Sequence, residues 1–162
     1  MSTQASRNHV SRDGGEHLSL MGMDLTIKVS KEMSGGSYIF LESVLPAGTE
    51  VVMHTTRSDE VTLYVLEGRI LCQLGEDTVS LGAGDTMHLP AGVPRGWRPD
   101  GPEGARIVQT LGAPPDSSYE EMFRELSALG PEDPERNARV CTGHGVDLVV
   151  PLVSPGAVLR HG

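Results

Sequence analysis

The segments PAGTEVVMHTTRSDEVTLYVLEGRI (residues 46–70) and LGAGDTMHLPAGVPRGW (residues 81–97) decide the fold of this chain. In both, short runs that alternate between apolar and polar residues are separated by glycine, proline and aspartate. A period of two residues is typical of strands with one buried face, and frequent turn residues are typical of antiparallel sheets. The two segments therefore predict a series of short antiparallel strands.

The same pattern extends on both sides of these segments, from Leu18 to Leu111. Regular spacing of short strands and turns indicates an antiparallel sandwich or barrel, so the fold class is predicted to be mainly β. The predicted strands lie within residues 25–30, 37–45, 50–55, 61–68, 69–74, 77–82, 85–90, 95–99 and 105–111.

The last third of the chain has a different pattern. Apolar residues recur at helical spacing within 117–130, and a second helix is predicted from Pro134 to about Gly143 or Gly145. Residues 146–153 predict one more strand. We thus expect a single domain over residues 18–162, with a barrel at about 18–111 and an appendix of helices and a final strand at about 117–153. Residues 1–17 are polar and predict a flexible N-terminal arm.

Composition and charge exclude several classes of function. The chain has 162 residues and a net charge of −9, which argues against binding to nucleic acid or to an anionic membrane surface. There is no run of about 18 apolar residues, and the polar N-terminus does not resemble a secretory signal. The only two cysteines, Cys72 and Cys141, do not form a disulfide framework. We expect a cytoplasmic protein with reduced thiols.

The two segments also match a known pair of motifs. In the first, Gly48 is followed after five residues by His54, and Gly68 ends the motif; in the second, glycine, proline and glycine recur over residues 84–92. Over about residues 18–153 the chain resembles the cupin superfamily, and in particular its small single-domain, quercetin-dioxygenase-like members with the RmlC-like jelly roll. The resemblance implies a cupin-type antiparallel β-barrel and a homodimer.

The metal centre of such cupins is where the chain departs from the resemblance. The family's three histidines and one carboxylate fall here on His54, Thr56, Arg95 and, for the carboxylate, Val61. Threonine is a poor ligand when neutral, valine is none, and arginine adds a fixed positive charge without a lone pair. We therefore expect no metal cofactor.

An unusual ligand set remains as the alternative. Glu60 is one residue before the carboxylate position, and His88 lies on a neighbouring strand. If a divalent metal such as Fe, Mn, Ni or Cu is bound, its ligands are expected to be His54, Glu60 and His88. A one-residue shift turns a strand side chain to the opposite face, so Glu60 could serve only through a bulge.

The resemblance places several strand faces inside the barrel, where they would form a small-molecule pocket. Side chains that alternate onto these faces are the candidate substrate-binding residues, namely Val52, Thr56, Val61, Leu63 and Trp97. Tyr38 and Glu42 share a face of another run and are included, with Glu42 either an exposed rim residue or a second acid/base.

Two residues are the candidate catalytic groups. His54 has an ordinary pKa close to neutral and is the natural general acid/base. Arg95 could bind an anionic ligand or stabilise a developing oxyanion. The plainer interpretations are that His54 is a core histidine, and that Arg95 pairs with Asp59 or Glu60 or points to solvent.

Three functions remain in competition. The favoured hypothesis is a metal-independent cupin enzyme that acts by proton transfer on a small organic metabolite, as a cyclase, isomerase or dehydratase (a lyase) of the type found in biosynthesis. The alternatives are a metal-dependent cupin dioxygenase with the unusual ligand set and a non-catalytic small-molecule-binding cupin.

Overall fold

The computed structural model describes residues 3–130 and 133–149. Over these residues the chain forms ten strands and three helices. Their order is α1 (Gln4–Asn8), β1 (Glu16–Leu20), β2 (Met23–Val29), β3 (Tyr38–Leu45), β4 (Val51–Thr56), β5 (Val61–Leu74), β6 (Asp77–Gly82), β7 (Thr86–Leu89), β8 (Arg95–Pro99), β9 (Ala105–Gly112), α2 (Tyr119–Leu129), α3 (Pro134–Gly143) and β10 (Val146–Leu148).

The strands form two antiparallel layers that share the long strand β5. Its first half pairs with β9 and β7, and β9 continues the layer through β3 and β2 to β1. Its second half pairs with β6 and β8, and β8 continues the other layer through β4 to β10. The sheet therefore curls on itself, and the apolar faces of both layers enclose a common core.

Gly68 marks the point where β5 passes from one layer to the other. Its φ is +77°, a conformation that residues with a side chain rarely adopt. A Cβ at this position would lie 2.4 Å from the carbonyl oxygen of Gly104. Glycine is therefore required both for the bend and for the close approach of the neighbouring chain.

The predicted fold class is confirmed, since the structure is mainly antiparallel β with C-terminal helices. The runs 61–68 and 69–74, predicted as separate strands, form the single strand β5 because Gly68 bends the chain without interrupting its pairing. The final strand is shorter than predicted, with β10 ending at Leu148; residues 150–153 lie outside the described residues.

The N-terminal arm predicted for residues 1–17 contains regular structure. An exposed helix, α1, forms within it, and strand β1 already begins at Glu16. Glu16 accepts hydrogen bonds at 2.7–3.1 Å from the guanidinium of Arg124 on α2. The sequence of β1 is too short and too polar to be recognised by its alternation alone, and its pairing with β2 holds it in the sheet.

Helices α2 and α3 are linked by a histidine. The hydroxyl oxygen of Ser118 lies 2.6 Å from Nδ1 of His144, and Nε2 of His144 lies 3.1 Å from the carboxylate of Glu125. The apolar face of α2 buries Tyr119, Met122 and Leu126 against the barrel. Each such side chain contributes about 1.5–3 kcal/mol when it is fully buried, so packing rather than capping anchors this helix.

Among the helices in the described residues, none has the length and apolar character needed to cross a membrane.

Candidate functional site

A cavity of about 130 Å³ lies between the two layers of the barrel; we call it the chamber. Its walls are mostly aliphatic. Among the described residues, the polar side chains that line it besides those of Trp97 and Tyr119 are Ser43, His54, Arg95 and Gln109. Ser43 and Gln109 bind each other at 3.2 Å, so they satisfy part of their hydrogen-bonding capacity within the wall. The chamber therefore suits a small, largely apolar molecule with few polar groups.

Strands β4 and β8 bring the candidate residues together. His54 is the ladder partner of Arg95, and Val51 is the ladder partner of Trp97, with an irregularity between the two pairs. Between these pairs, two residues of β4 (Val52 and Met53) thus lie opposite one residue of β8 (Gly96), which is a β-bulge. A Cβ on Gly96 would lie 2.8 Å from the carbonyl oxygen of Val51, so glycine is needed where the bulged strand approaches.

The imidazole of His54 has a defined tautomer. Its Nδ1 lies 2.8 Å from the carbonyl oxygen of Val52. A carbonyl can only accept a hydrogen bond, so Nδ1 carries the proton and Nε2 keeps its lone pair. No hydrogen bond to Nε2 is formed by any residue that the structure describes. The ring makes an edge contact with Trp97, at a centroid distance of 5.9 Å and an angle of 65°.

Burial keeps this imidazole neutral. It lowers the pKa of His54 from 6.5 to about 4; the bond to Val52 opposes this shift and the charge of Arg95 adds to it. At neutral pH, Nε2 is therefore a hydrogen-bond acceptor and a proton acceptor inside the chamber.

The lowered pKa of His54 predicts a pH dependence of stability. The native state binds fewer protons than the unfolded state between the two pKa values, so stability rises with pH across this window. The contribution is complete above about pH 6.5 and is lost as the pH falls towards about 4. Between pH 7 and pH 4.5, we expect wild type to lose about 2 kcal/mol more free energy of unfolding than His54→Gln does.

Urea titrations at a series of pH values measure this difference. His88→Gln is the matched control, because its histidine is exposed on the outside of the sheet. Equal pH profiles for wild type and His54→Gln would show that the pKa of His54 is not lowered.

Arg95 is fully buried and its guanidinium is bound by neutral groups. Nη1 donates to the backbone carbonyls of Asp59, Leu89 and Pro90 at 3.0–3.3 Å. Nη2 donates to the hydroxyl of Thr56 at 2.9 Å and to the carbonyl of Asp59 at 3.3 Å. The terminal nitrogens of Arg95 therefore connect β8 to the turns before β5 and after β7, and they are not available for a two-pronged bond to an anion.

Asp59 and Tyr119 complete the buried polar cluster around Arg95. The pKa of Asp59 is raised, mainly because its carboxyl group loses solvation. Burial and the nearby Asp59 also raise the pKa of Tyr119 above its ordinary value. The Tyr119 hydroxyl and Asp59 Oδ1 are buried without a well-aligned hydrogen bond, although each lies close enough to influence the other's pKa. Thr56 donates its hydroxyl proton to the carbonyl of Asp59 at 2.7 Å.

Two further polar atoms in the chamber wall are buried without a partner: Nε of Arg95 and Nε1 of Trp97. Both are N–H donors, and their residues alternate onto the same face of β8. An unmade hydrogen bond costs a buried donor about 1–3 kcal/mol. Such a pair of unsatisfied donors beside a cavity is therefore an indication of a ligand group.

The predicted pocket residues fall into three groups. Val52 and Val61 line the chamber beside His54, Arg95 and Trp97. Leu63 lies on the same face of β5 as Val61 and is fully buried in the core, but it does not line the chamber. Thr56 lies behind the wall, bound to Arg95.

Tyr38 and Glu42 do not line the chamber, and this part of the prediction is wrong. Both lie on the outer face of β3, where Tyr38 is 40% exposed and Glu42 binds Arg106 at 2.9 Å. Alternation puts the two on one face, but the inner face is the one that carries Ile39, Leu41 and Ser43. Both faces of this strand carry apolar residues, so the period alone does not say which one is buried.

The alternative metal ligands are not brought together. His88 and Glu60 lie on the outer face of the sheet, 3.8 Å apart, with side chains 56% and 64% exposed. His54 points into the chamber instead. In residues 3–130 and 133–149, no three His, Cys, Asp or Glu side chains are grouped as metal ligands. At the family's ligand positions the buried cation of Arg95 is unfavourable for a dication, so these residues do not fit a mononuclear metal.

Sequence reasoning missed that helix α2 closes the chamber. Tyr119, Met122, Phe123 and Leu126 all contribute to the wall, together with Cys141 of α3 and Val146 and Leu148 of β10. The apolar stripe of α2 predicted a buried face, but a stripe does not identify the surface it packs against.

Comparison with known proteins shows a similarity to the cupin domain. The family model of the cupin domain matches residues 41–110. The quercetin 2,3-dioxygenase of Bacillus subtilis is 26% identical over 100 residues, covering 62% of this chain and 28% of that enzyme. An uncharacterised protein of Methanocaldococcus jannaschii, MJ1618, is 32% identical over 53 residues, covering 33% of this chain and 42% of that protein. The chain thus spans less than half the length of the curated relatives it matches.

Solved structures share the fold at lower sequence identity. An RmlC-like cupin from Shewanella frigidimarina has a TM-score of 0.56 at 21% identity, covering 66% of this chain and 92% of its own. A predicted oxalate decarboxylase from Thermotoga maritima has a TM-score of 0.55 at 21% identity over 60% of this chain and 90% of its own. The polyketide cyclase RemF from Streptomyces resistomycificus has a TM-score of 0.55 at 17% identity, and the match covers 65% of this chain and 78% of RemF. The chain is thus similar to the cupin domain over residues 41–110, and it shares its fold with these solved structures.

Proposed function

We propose that this protein is a metal-independent cupin enzyme that binds a small organic molecule in the chamber and acts on it by proton transfer. The observation that carries the proposal is the state of His54: an imidazole in an apolar cavity, with Nδ1 bound to the backbone and Nε2 free to accept a proton. A positioned base of this kind contributes typically about 10²–10⁴-fold to a reaction. His54 is the proposed general acid/base.

The proposed role of Arg95 is electrostatic, and it does not include binding an anion through both terminal nitrogens. Its terminal nitrogens are bound by the backbone and Thr56, so the residue supplies a fixed positive charge beside the chamber and one spare N–H. A fixed charge in an apolar environment stabilises negative charge as it develops on a substrate oxygen. The residue thus supports removal of a proton by His54 through charge and through its Nε–H.

Cyclisation, isomerisation and dehydration all fit such a site. Isomerisation moves a proton within one substrate, cyclisation forms a bond within one substrate with proton transfer, and dehydration removes a proton and a hydroxyl group that leave as water. None of the three needs a redox cofactor. A chamber closed by the apolar face of α2 also excludes water from the reacting groups, which strengthens the electrostatic effect of Arg95. RemF, which shares the fold of this chain, is a polyketide cyclase, and cyclisation lies within this range of reactions.

Metal independence predicts a specific elemental composition. Protein purified without chelators is expected to contain less than about 0.1 Fe, Mn, Ni, Cu or Zn per chain, because residues 3–130 and 133–149 contain no grouped ligand set. Inductively coupled plasma mass spectrometry measures this ratio. One metal ion per chain would contradict metal independence and would favour a dioxygenase or another metal-dependent activity.

A metabolite extract tests the proposed activity as a whole. The protein, treated with EDTA, is incubated with an extract of small molecules, and mass spectrometry follows the compounds over time. We expect one compound to be consumed while an isomer of it, or its dehydration product, accumulates. Activity that requires added metal would contradict the proposal.

A non-catalytic binder is the second candidate, and the low pKa of His54 favours it. A base with a pKa of about 4 is weaker than one matched to neutral pH. Native mass spectrometry of the purified protein distinguishes the two: a bound metabolite that remains unchanged over time is expected of a binder and not of the enzyme.

We also propose that the protein is a homodimer, as its family resemblance implies. The outer face of the sheet offers support, because Tyr38, Val44 and Tyr64 are each 40–42% exposed there. Light scattering during size-exclusion chromatography is expected to give the mass of two chains for wild type and of one chain for Tyr64→Glu. Val79→Glu, which changes an equally exposed valine on the other layer, is the control expected to stay dimeric. A monomeric wild type would contradict the proposal.

A further inference from the structure

Apart from the hydroxyl of Tyr119, which lies near Asp59 and Arg95, three hydrogen-bonding groups of the chamber wall are left without a partner among the described residues. Nε2 of His54 is an acceptor, because its Nδ1 holds the proton. Nε of Arg95 and Nε1 of Trp97 are both donors, and both are buried. The bulged ladder of β4 and β8 sets His54 opposite Arg95 and in edge contact with Trp97, so the three groups belong to neighbouring side chains. We call them the polar triplet.

The charge of Arg95 adds a second requirement. In the part of the chain that the structure describes, no carboxylate lies within 4.0 Å of its guanidinium, and every group that binds it is neutral. The carboxyl group of Asp59 is near enough to interact with this cation electrostatically but does not bind it. A ligand oxygen with negative character that binds the guanidinium directly would stabilise the buried cation further.

The geometry points to a phenol or enol as the ligand of the chamber, with its hydroxyl bound by the polar triplet and its carbon skeleton against the aliphatic walls. A hydroxyl has one donor and two acceptor lone pairs. Its O–H can donate to Nε2 of His54 while its lone pairs accept from Arg95 and Trp97. The one donor and two acceptors of the hydroxyl thus match the one acceptor and two donors of the polar triplet. A hydroxyl on an sp² carbon is also acidic enough for its oxygen to develop the negative charge that Arg95 stabilises.

Other oxygen groups match less well. A carboxylate or a phosphate dianion only accepts hydrogen bonds, so it would leave Nε2 of His54 facing another lone pair. Their usual two-pronged binding also needs the terminal nitrogens of arginine, which are occupied here by Thr56 and backbone carbonyls. A ketone could accept from the two donors but would not satisfy His54. The inference rests on the proposed function only in that the chamber is the ligand site.

A set of three bicyclic probes tests the ligand class by isothermal titration calorimetry. 2-Naphthol carries the hydroxyl, naphthalene lacks it, and 2-naphthoate replaces it with a carboxylate. We expect 2-naphthol to bind at least about tenfold more tightly than either of the others, the effect of one satisfied set of buried hydrogen bonds. Equal affinities, tightest binding of 2-naphthoate, or no binding of any probe would overturn the inference.

Two variants identify the polar triplet as the source of the preference. Trp97→Phe removes one N–H and keeps an aromatic side chain, while His54→Leu removes the acceptor. In each, the preference for 2-naphthol over naphthalene is expected to fall by about three- to tenfold, with the affinity for naphthalene little changed. Met122→Leu, an apolar change in the same wall, is the control expected to keep the preference. Thermal melting verifies that each variant is folded, and an unchanged preference in both folded triplet variants would overturn the assignment.

These outcomes are separable from those of the proposed enzyme activity. If the protein prefers 2-naphthol but converts no metabolite, the inferred ligand class is supported and the proposed enzyme activity is contradicted. Conversion of a metabolite without hydroxyl preference would do the reverse.

Discussion

Replacing Arg95 with methionine is expected to lower the free energy of unfolding by about 2–4 kcal/mol. The change removes a guanidinium that holds five neutral acceptor contacts on three separate parts of the chain. Several of these are backbone carbonyls in a buried region, and each loses a charge-assisted hydrogen bond. Methionine fills much of the volume but supplies no donor. Urea denaturation followed by circular dichroism measures the change.

Two further variants make this prediction specific. Arg98→Met, on the same strand but exposed, is expected to change stability by less than about 0.5 kcal/mol. The free energy of unfolding of Arg95→Lys is expected to be closer to that of Arg95→Met than to that of wild type, because one ammonium group cannot reach acceptors on three segments. If Arg95→Met were as stable as Arg98→Met, Arg95 would not have the structural role assigned to it.

Replacing His54 with glutamine is expected to reduce turnover of the substrate found in the metabolite extract by about 10²–10⁴-fold. Glutamine retains hydrogen-bonding ability and similar size, but its amide cannot accept a proton near neutral pH. Because the change removes the base more than the binding contacts, kcat is expected to fall much more than KM rises. Steady-state kinetics on the purified variants provides both parameters.

His88→Gln is the matched control for this experiment. His88 lies on the outer face of the sheet, so its replacement is expected to leave kcat unchanged. Near-normal turnover by a folded His54→Gln variant would show that His54 does not act as the base, and would leave the protein as a binder or assign the chemistry to another group such as the Tyr119 hydroxyl.

Much of the fold could be predicted because strand periodicity is a local property. The alternation in residues 50–55, 77–82 and 105–111 matches β4, β6 and β9 within one residue at either end. The pattern was less decisive where both faces of a strand are partly apolar. On β3 the prediction placed Tyr38 and Glu42 in the pocket, whereas the packing of the second layer puts the face of Leu41 inside.

The sequence predicted several residues of the candidate site, but it did not predict the contacts that these residues make. The family resemblance put His54 and Arg95 at positions that face the inside of the barrel, and the structure has them as ladder partners. Their hydrogen bonds could not be read from the sequence, since Arg95 binds the carbonyl of a residue 36 positions earlier in the chain. The closure of the chamber by α2 likewise depends on how a helix at residues 119–129 docks on the barrel.

The sequence by itself thus determined the strands, their turns, the cupin motif spacing and the replacement of the family's ligand residues by threonine, valine and arginine. These features depend on the period of side chains along the backbone and on residue chemistry, both of which are local. Only the tertiary structure decided that Arg95 gives its terminal nitrogens to the backbone, that Tyr38 and Glu42 face outwards, and that one acceptor and two donors remain open in the chamber. Hydrogen bonds between distant segments form only once both layers have packed, because their geometry depends on angstrom-scale distances that no local pattern contains.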